Sequence, residues 1–270
     1  MINRVCSKEN RFVKLVRQLS QRKYRDKTGL FILEGIRNLE DVLRSDFELQ
    51  SVLINSGFQD KPEAKELLAQ VHKSVPILEV EDCLFQGLAL TENPQGVILV
   101  IRQKKYSLED ILDTEPQVVV IADGIQDPGN LGTIIRTSSA AGASGVLVTK
   151  GSVDIYNPKV VRASMGGIFF LPVLPVESDE ILIALLKQKK YKIAVADLEG
   201  QIMYYEAALK RPIALTIGNE NNGPSMLFKD NADLLLKIPM LGKVESLNAG
   251  VAAGILVYDI VRQNNLKPLA

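Results

Sequence analysis

Apolar residues along this chain alternate between two periods. From Arg11 to Arg25 they fall three and four apart, with Phe12, Leu15, Val16 and Leu19 on one face, which predicts a helix. The stretch Phe31 to Leu33 reads as a short strand and Arg37 to Leu43 as a helix. Ser51 to Ile54, Ile77 to Val80 and Val97 to Ile101 read as further strands, with a helix from Pro62 to His72 between the first two. A polar stretch, Arg102 to Pro116, follows, with room for a short helix at Leu108 to Leu112. Beyond it the strands predicted are Val118 to Ala122, Gly145 to Thr149, Phe169 to Val173, Ile193 to Ala196, Ile213 to Ile217 and Leu234 to Ile238. Helices fit Gly132 to Ala141, Pro158 to Met165, Glu180 to Lys189 and Ser246 to Val261. Strands separated by helices imply a mostly parallel sheet covered on both faces. The chain thus reads as two α/β units, residues 1–104 and 117–270, joined by a linker at 105–116.

The last helix is apolar nearly all round: Val251, Ala252, Ile255, Leu256, Val257, Ile260 and Val261. Such a helix needs cover on more than one side, either within the chain or from a second subunit. Its apolar run, Ala249 to Val257, is too short to span a bilayer, so no membrane role is expected.

Composition adds exclusions. There are 270 residues, 46% hydrophobic and 24% charged, with a formal net charge of zero, the balance of an ordinary globular protein. A single histidine, His72, leaves almost nothing for a Ser-His-Asp mechanism or a histidine metal site, so no metal is expected. Two distant cysteines, Cys6 and Cys83, make no disulfide framework, and a reducing cytoplasmic location fits. No signal-type apolar run follows the basic N-terminus. That N-terminus is the one charge imbalance. Among its cations Arg11, Lys14, Arg22, Lys23 and Arg25 are candidate contacts to a polyanion, set against the plainer reading of a solvated helix face.

Three loops carry the chemical signal, since ligands of open parallel sheets bind beyond the carboxyl ends of the strands. The first runs from Asp123 to Arg136, with Asn130 placed as a helix N-cap and Arg136 about two turns into the helix. The second is Gly218-Asn219-Glu220-Asn221-Asn222-Gly223-Pro224, with a carboxylate at the mouth of a strand. The third, Ile238 to Asn248, offers Ser246 as the N-cap of the last helix. Neither the dinucleotide glycine fingerprint nor a P-loop is present, which removes the support for a nicotinamide oxidoreductase.

Taken in order, Asn130-Leu-Gly-Thr-Ile-Ile-Arg136, Ile217-Gly-Asn-Glu220, Ile238-Pro-Met-Leu-Gly242 and Ser246-Leu-Asn248 resemble the SpoU-type ribose 2′-O-methyltransferases of the SPOUT superfamily. Arg162 to Gly167 also looks like a family segment. Upstream, Lys14 to Gly35 and Asn93-Pro-Gln-Gly96 are similar to the family's accessory substrate-binding domain, a small α/β fold of ribosomal-protein type. The resemblance implies an AdoMet-dependent RNA methyltransferase acting on a ribose 2′-hydroxyl, with 23S ribosomal RNA first and transfer RNA second as substrate. A non-catalytic RNA-binding or assembly protein on the same fold, or a base methylase, are the competing readings. It implies a trefoil knot in the C-terminal domain and a homodimer. It assigns Asn130, Arg136, Glu220, Ser246 and Asn248 to catalysis, and Thr216, Gly218, Asn219, Ile238, Met240, Gly242 and Leu247 to S-adenosylmethionine. Because arginine is effectively always protonated, Arg136 is expected to clamp phosphate and the developing alkoxide rather than to act as a base. Asn130, Ser246 and Asn248 are expected to hold Arg136 and the ribose, and Glu220 to orient the loop or the arginine. Asn221 and Phe170 depart from the family pattern, which often has glycine at the first position and a polar residue at the second.

Overall fold

A computed structural model describes residues 3–265; the ends of the two expected domains, 1–2 and 266–270, lie outside the described residues. The chain divides into two compact units. The first runs to Lys104 and also takes in Tyr156–Arg162; the second holds Lys105–Ile155 and the chain from Ala163 onward.

The first unit carries a five-stranded mixed sheet in the order β1-β4-β3-β5-β2, where β1 is Asn3–Val5, β2 Leu30–Glu34, β3 Leu49–Ile54, β4 Ile77–Val80 and β5 Val97–Arg102. Strands β1, β4 and β3 run parallel, and β5 is antiparallel to both β3 and β2. The helices are α1 (Arg11–Leu19), α2 (Arg22–Thr28), α3 (Ile36–Leu43), α4 (Pro62–Gln70) and α5 (Asp82–Gln86). The single helix expected over Arg11 to Arg25 is therefore two. Ser20 and Gln21 break it, and the buried Arg25, 3% exposed, turns its Nη1 back to donate to the carbonyls of Leu19 (2.9 Å) and Ser20 (2.9 Å). Those carbonyls at the end of α1 have no partner further along the helix, so a cation there is well placed. One core packs Val13, Val16 and Leu19 against Ile32, Leu53, Leu78, Ile98 and Val100.

The second unit is a seven-stranded, wholly parallel sheet in the order β10-β12-β9-β11-β6-β7-β8. Its strands are β6 (Val118–Asp123), β7 (Gly145–Val148), β8 (Val173–Pro175), β9 (Lys192–Ala196), β10 (Ile202–Met203), β11 (Ile213–Gly218) and β12 (Leu234–Lys237). The central run Val118 to Ala122 is buried on both faces, which explains its unbroken hydrophobicity. The expected strand Phe169 to Val173 is a correction. Gly166 takes φ +84°, a short helix α9 (Gly167–Phe170) follows, and β8 starts only at Val173. The expected linker is packed structure: α6 (Leu108–Leu112) starts with a reciprocal cap between Ser107 and Asp110, and Ile111 and Leu112 are fully buried in the second core.

The remaining helices are α7 (Pro128–Ala140), α8 (Pro158–Ala163), α10 (Asp179–Gln188), α11 (Met226–Asp230) and α12 (Ala249–Asn264). Small residues let α12 lie close on α7: a Cβ on Gly250 would come 2.7 Å from Thr133 Cγ2. On the same helix Asp259 accepts from Arg262 (2.8 Å) and Gln263 (2.9 Å), and Gln263 also bonds Ala207 and Leu209. No helix among the described residues is long and apolar enough to cross a membrane, and no group of three or more metal-ligating side chains occurs among them.

Candidate functional site

In a parallel sheet all carboxyl ends open on one edge, so the loops after β6, β11 and β12 emerge together. The register pairs Gly218, the last residue of β11, with Asp123, the last of β6. Buried Asp123 ties that edge together: one oxygen accepts from Thr149 Oγ1 (3.0 Å), the other from the Ser225 amide (2.7 Å). Asn219 Nδ2 donates to the Gly124 carbonyl (2.8 Å), joining the β11 loop to the β6 loop. Its own oxygen accepts from the amides of Asn221 (2.9 Å) and Asn222 (3.0 Å), which closes the turn without a glycine at position 221.

At the centre stands a chain of three polar side chains from three loops. Asn130 Nδ2 donates to Glu220 Oε1 (2.8 Å), and Asn130 Oδ1 accepts from Asn248 Nδ2 (2.6 Å). The partners lie 90 and 118 positions away in sequence. Glu220 also accepts from the backbone amides of Gln126 (3.3 Å) and Asp127 (3.2 Å). Partial burial pushes its pKa up, but the bonds from Asn130, its own backbone, Gln126 and Asp127 outweigh that and hold it below the usual value of 4.5. Glu220 is thus an anion at neutral pH that fixes the start of α7.

Two expected caps are corrected. The N-cap of α7 is Asp127, whose Oδ1 accepts from the Asn130 amide (2.8 Å), with Pro128 at the first helical position. Asn130 is thereby one turn into the helix, its side chain free for the other two loops. The N-cap of α12 is Asn248, whose Oδ1 accepts from Gly250 (2.9 Å) and Val251 (3.2 Å), while Ser246 is exposed two residues earlier. Gln126 and Asp127 are contributors that the sequence reading passed over, although Asp-Pro ahead of an apolar run is a helix-start signal.

Arg136 is not part of the cluster. It is exposed, lies about 9 Å further along α7 than Asn130, and has no side-chain partner among the described residues. Glu220 orients the loop and leaves the arginine alone, and neither Asn130 nor Asn248 holds it. Ser246 likewise makes no side-chain hydrogen bond among the described residues.

The residues expected to hold the methyl donor fall into two sets. On β11, Thr216 is fully buried and its Oγ1 has no partner among the described residues. Gly218 is required by the chain itself, since a Cβ there would lie 2.0 Å from the Pro224 nitrogen. On the third loop Ile238, Met240 and Leu247 are half-buried, Gly242 is open and Leu241 is 96% exposed. Among the described residues, 239–247 form no backbone–backbone hydrogen bond, so their amides and carbonyls can read a ligand. Apolar side chains beside unpaired backbone groups, with a spare buried hydroxyl on β11, suit an adenosine: a flat ring to cover and polar edges to bond.

Of the N-terminal cations, Arg25 is a correction: its guanidinium is buried against the end of the preceding helix, α1, and is not presented to phosphate. Arg11, Lys14, Arg22 and Lys23 are exposed. Lys14 pairs with Glu9 and Arg22 with Asp26 (3.5 Å), while Arg11 and Lys23 lie over the rings of Phe12 and Tyr24.

Comparison with known proteins adds the following. Residues 117–258 match the SpoU rRNA Methylase family, and residues 10–99 match an MRM3-like substrate binding domain. The chain is 33% identical to the 23S rRNA (guanosine(2553)-2′-O)-methyltransferase RlmP of Bacillus subtilis, over 96% of this chain and 99% of that protein. It is 30% identical to the 23S rRNA (uridine(2479)-2′-O)-methyltransferase of Streptomyces viridochromogenes, over 96% and 92%. Among solved structures, the AdoMet-bound rRNA methyltransferase from Sinorhizobium meliloti is similar at a TM-score of 0.87 and 32% identity, covering 97% of this chain and 98% of that one.

Proposed function

The chain belongs to the SpoU rRNA methylase family, and on that premise we propose that it moves the methyl group of S-adenosylmethionine to a ribose 2′-hydroxyl of 23S ribosomal RNA. The observation that carries this reading is the Glu220–Asn130–Asn248 chain, which ties three sheet-edge loops together in the unit that also carries the exposed, unpaired Arg136. Relatives sharing almost the whole length are named as enzymes of this reaction.

Bound S-adenosylmethionine would supply an electrophilic methyl on a sulfonium; Ile238, Met240 and Leu247 would cover its adenine, with Thr216, Gly218, Asn219 and Gly242 at its edges. The rest is work for the chain's own residues. Positioning two partners for in-line attack is worth roughly 7 kcal/mol or more at best. Asn130 and Asn248 set the geometry of the loops, Glu220 fixes the start of α7, and Ser246 lies on the donor loop beside them. Arg136, with no internal partner to give up, clamps the RNA phosphate and stabilises the alkoxide forming on the 2′-oxygen. The proton leaves to that phosphate or to water, because a guanidinium does not take one up.

The same reading includes a homodimer and a trefoil knot. Val251 and Tyr258, seven positions apart on one face of α12, are 51% and 50% exposed, and Phe170 on α9 is 54% exposed. Both helices pack on α7, and such a patch is what a second copy covers. For the knot, the support is that β11 is inserted between β9 and β6, and that α12 then returns to α7. Arg11, Lys14, Arg22 and Lys23 steer the RNA.

Nucleoside mass spectrometry of ribosomal and transfer RNA, from cells with and without the gene, tests the reaction. One 2′-O-methylnucleoside should vanish from 23S RNA and return with the wild-type gene but not with Arg136→Ala. Loss from transfer RNA instead would move the substrate, and unchanged ribose methylation would end the proposal.

A further inference from the structure

The segment Arg162 to Gly167 stood out in the sequence, yet the site above makes no use of its arginine. Arg162 lies in Tyr156–Arg162, the segment that belongs to the first unit. Tyr156 anchors that segment: its ring is 4.7 Å from that of Phe31, and its hydroxyl donates to the Lys104 carbonyl (3.0 Å) and accepts from the Lys104 amide (3.1 Å). The segment closes one side of a cleft of about 260 Å³. Leu33, Leu90 and Pro158 line it with apolar surface, and Lys159 and Arg162 stand at its edge.

The charges decide what this cleft takes. Lys159 and Arg162 are three apart on α8, hence on one face of the helix. Both are exposed, and neither has an ion-pair partner among the described residues. The cleft's one carboxylate, Glu34, is engaged by its own wall: it accepts from the Leu90 amide (2.7 Å) and from Thr91 Oγ1 (2.6 Å). Two unpaired cations beside an apolar surface match an anion attached to a flat apolar group. The volume falls just under the ~300 Å³ at which sites for larger ligands begin. RNA bases are read mainly where they are splayed out of a helix, with phosphate held by cations beside them.

We propose that this cleft is a subsite for one unstacked nucleotide of the RNA substrate. Its base lies on Leu90 and Pro158, and its phosphate lies between Lys159 and Arg162. The inference rests on the RNA-methyltransferase reading and adds a second grip on the RNA, carried by the first unit.

The test uses the full-length protein, an unmodified 23S RNA transcript and radiolabelled S-adenosylmethionine. In the double variant Lys159→Ala/Arg162→Ala, the KM for RNA should rise about tenfold while kcat at saturating RNA stays within about twofold. Filter binding across a potassium chloride series should show a slope shallower by about 1, the loss of one phosphate contact at ~0.7–0.9. S-adenosylmethionine affinity by calorimetry should not change. Leu90→Trp, which fills the cleft and keeps both cations, should raise KM as well. An unchanged KM and salt slope in either variant, or a loss confined to kcat, would overturn the subsite. A wild-type protein that binds the transcript but never methylates RNA would instead overturn the functional reading, and the salt slope would still decide the cleft.

Discussion

Asn130 uses both ends of its amide on residues far away in sequence, so its removal leaves two groups unsatisfied: the Glu220 carboxylate loses a donor and the Asn248 amide its acceptor. Hydrogen bonds to a charged group contribute about 1.5–3 kcal/mol. Asn130→Ala should therefore lower stability by about that amount in urea unfolding and should depress methyl transfer more than stability alone explains. Glu220 gives a pH signature. Its pKa is lowered in the folded state, so its contribution is fully present above the unfolded value of 4.5 and is lost as pH falls through the lower folded value. The urea midpoint gap between wild type and Glu220→Gln should hold steady from neutral pH down to about 4.5 and narrow below it; a gap that widened on acidification would refute the assignment. At Gly218 the demand is steric. Alanine there would press its Cβ against Pro224 backbone, displacing the loop. A shift of about 1 Å can cost on the order of 100-fold in rate, the loss expected for Gly218→Ala.

Contact between α7 and α12 makes a sharper test of elements, because the same substitution should act oppositely at two sites one turn apart. At Gly250 a Cβ would come 2.7 Å from Thr133 Cγ2 and 2.8 Å from its Cβ. At Gly254 the nearest atom would be 3.7 Å away, an ordinary contact. Gly250→Ala should destabilise by about 1–3 kcal/mol through overpacking. Gly254→Ala should be neutral or stabilise by up to about 1 kcal/mol, since alanine is the better helix former. Thermal and urea midpoints of the two variants decide this, and equal effects would mean that the helix contact does not set the spacing.

For the whole molecule, the uncovered side of α12 is the feature with consequences. Val251→Asp should convert a dimer to a monomer in sedimentation velocity while leaving the far-ultraviolet circular dichroism intact. A wild-type protein that sediments as a monomer at micromolar concentration would leave Val251 and Tyr258 without the partner proposed for them. RNA affinity should fall steeply with salt, because the exposed cations of α1 and α2 act through phosphate and counterion release.

Much of this was legible in the chain itself. The parallel sheet of the second unit follows from continuous apolar strands separated by helices, and the three loops could be located because each follows such a strand. Local signals also fixed the short helix at Leu108 to Leu112, whose Ser107 and Asp110 lie three apart. What the sequence left undetermined is where hydrogen bonds cross between loops. Asn130 and Ser246 both look like caps in isolation, and only packing shows that Asp127 and Asn248 take those places and free Asn130 to join Glu220. Arg25 reads as one cation among many until burial turns it onto the end of the helix before its own. Tyr156 to Arg162 lies past the midpoint of the sequence yet folds with the first unit. Periodicity records which face of an element is buried; partners 50 to 120 positions apart are chosen by tertiary packing, which one-dimensional spacing cannot encode.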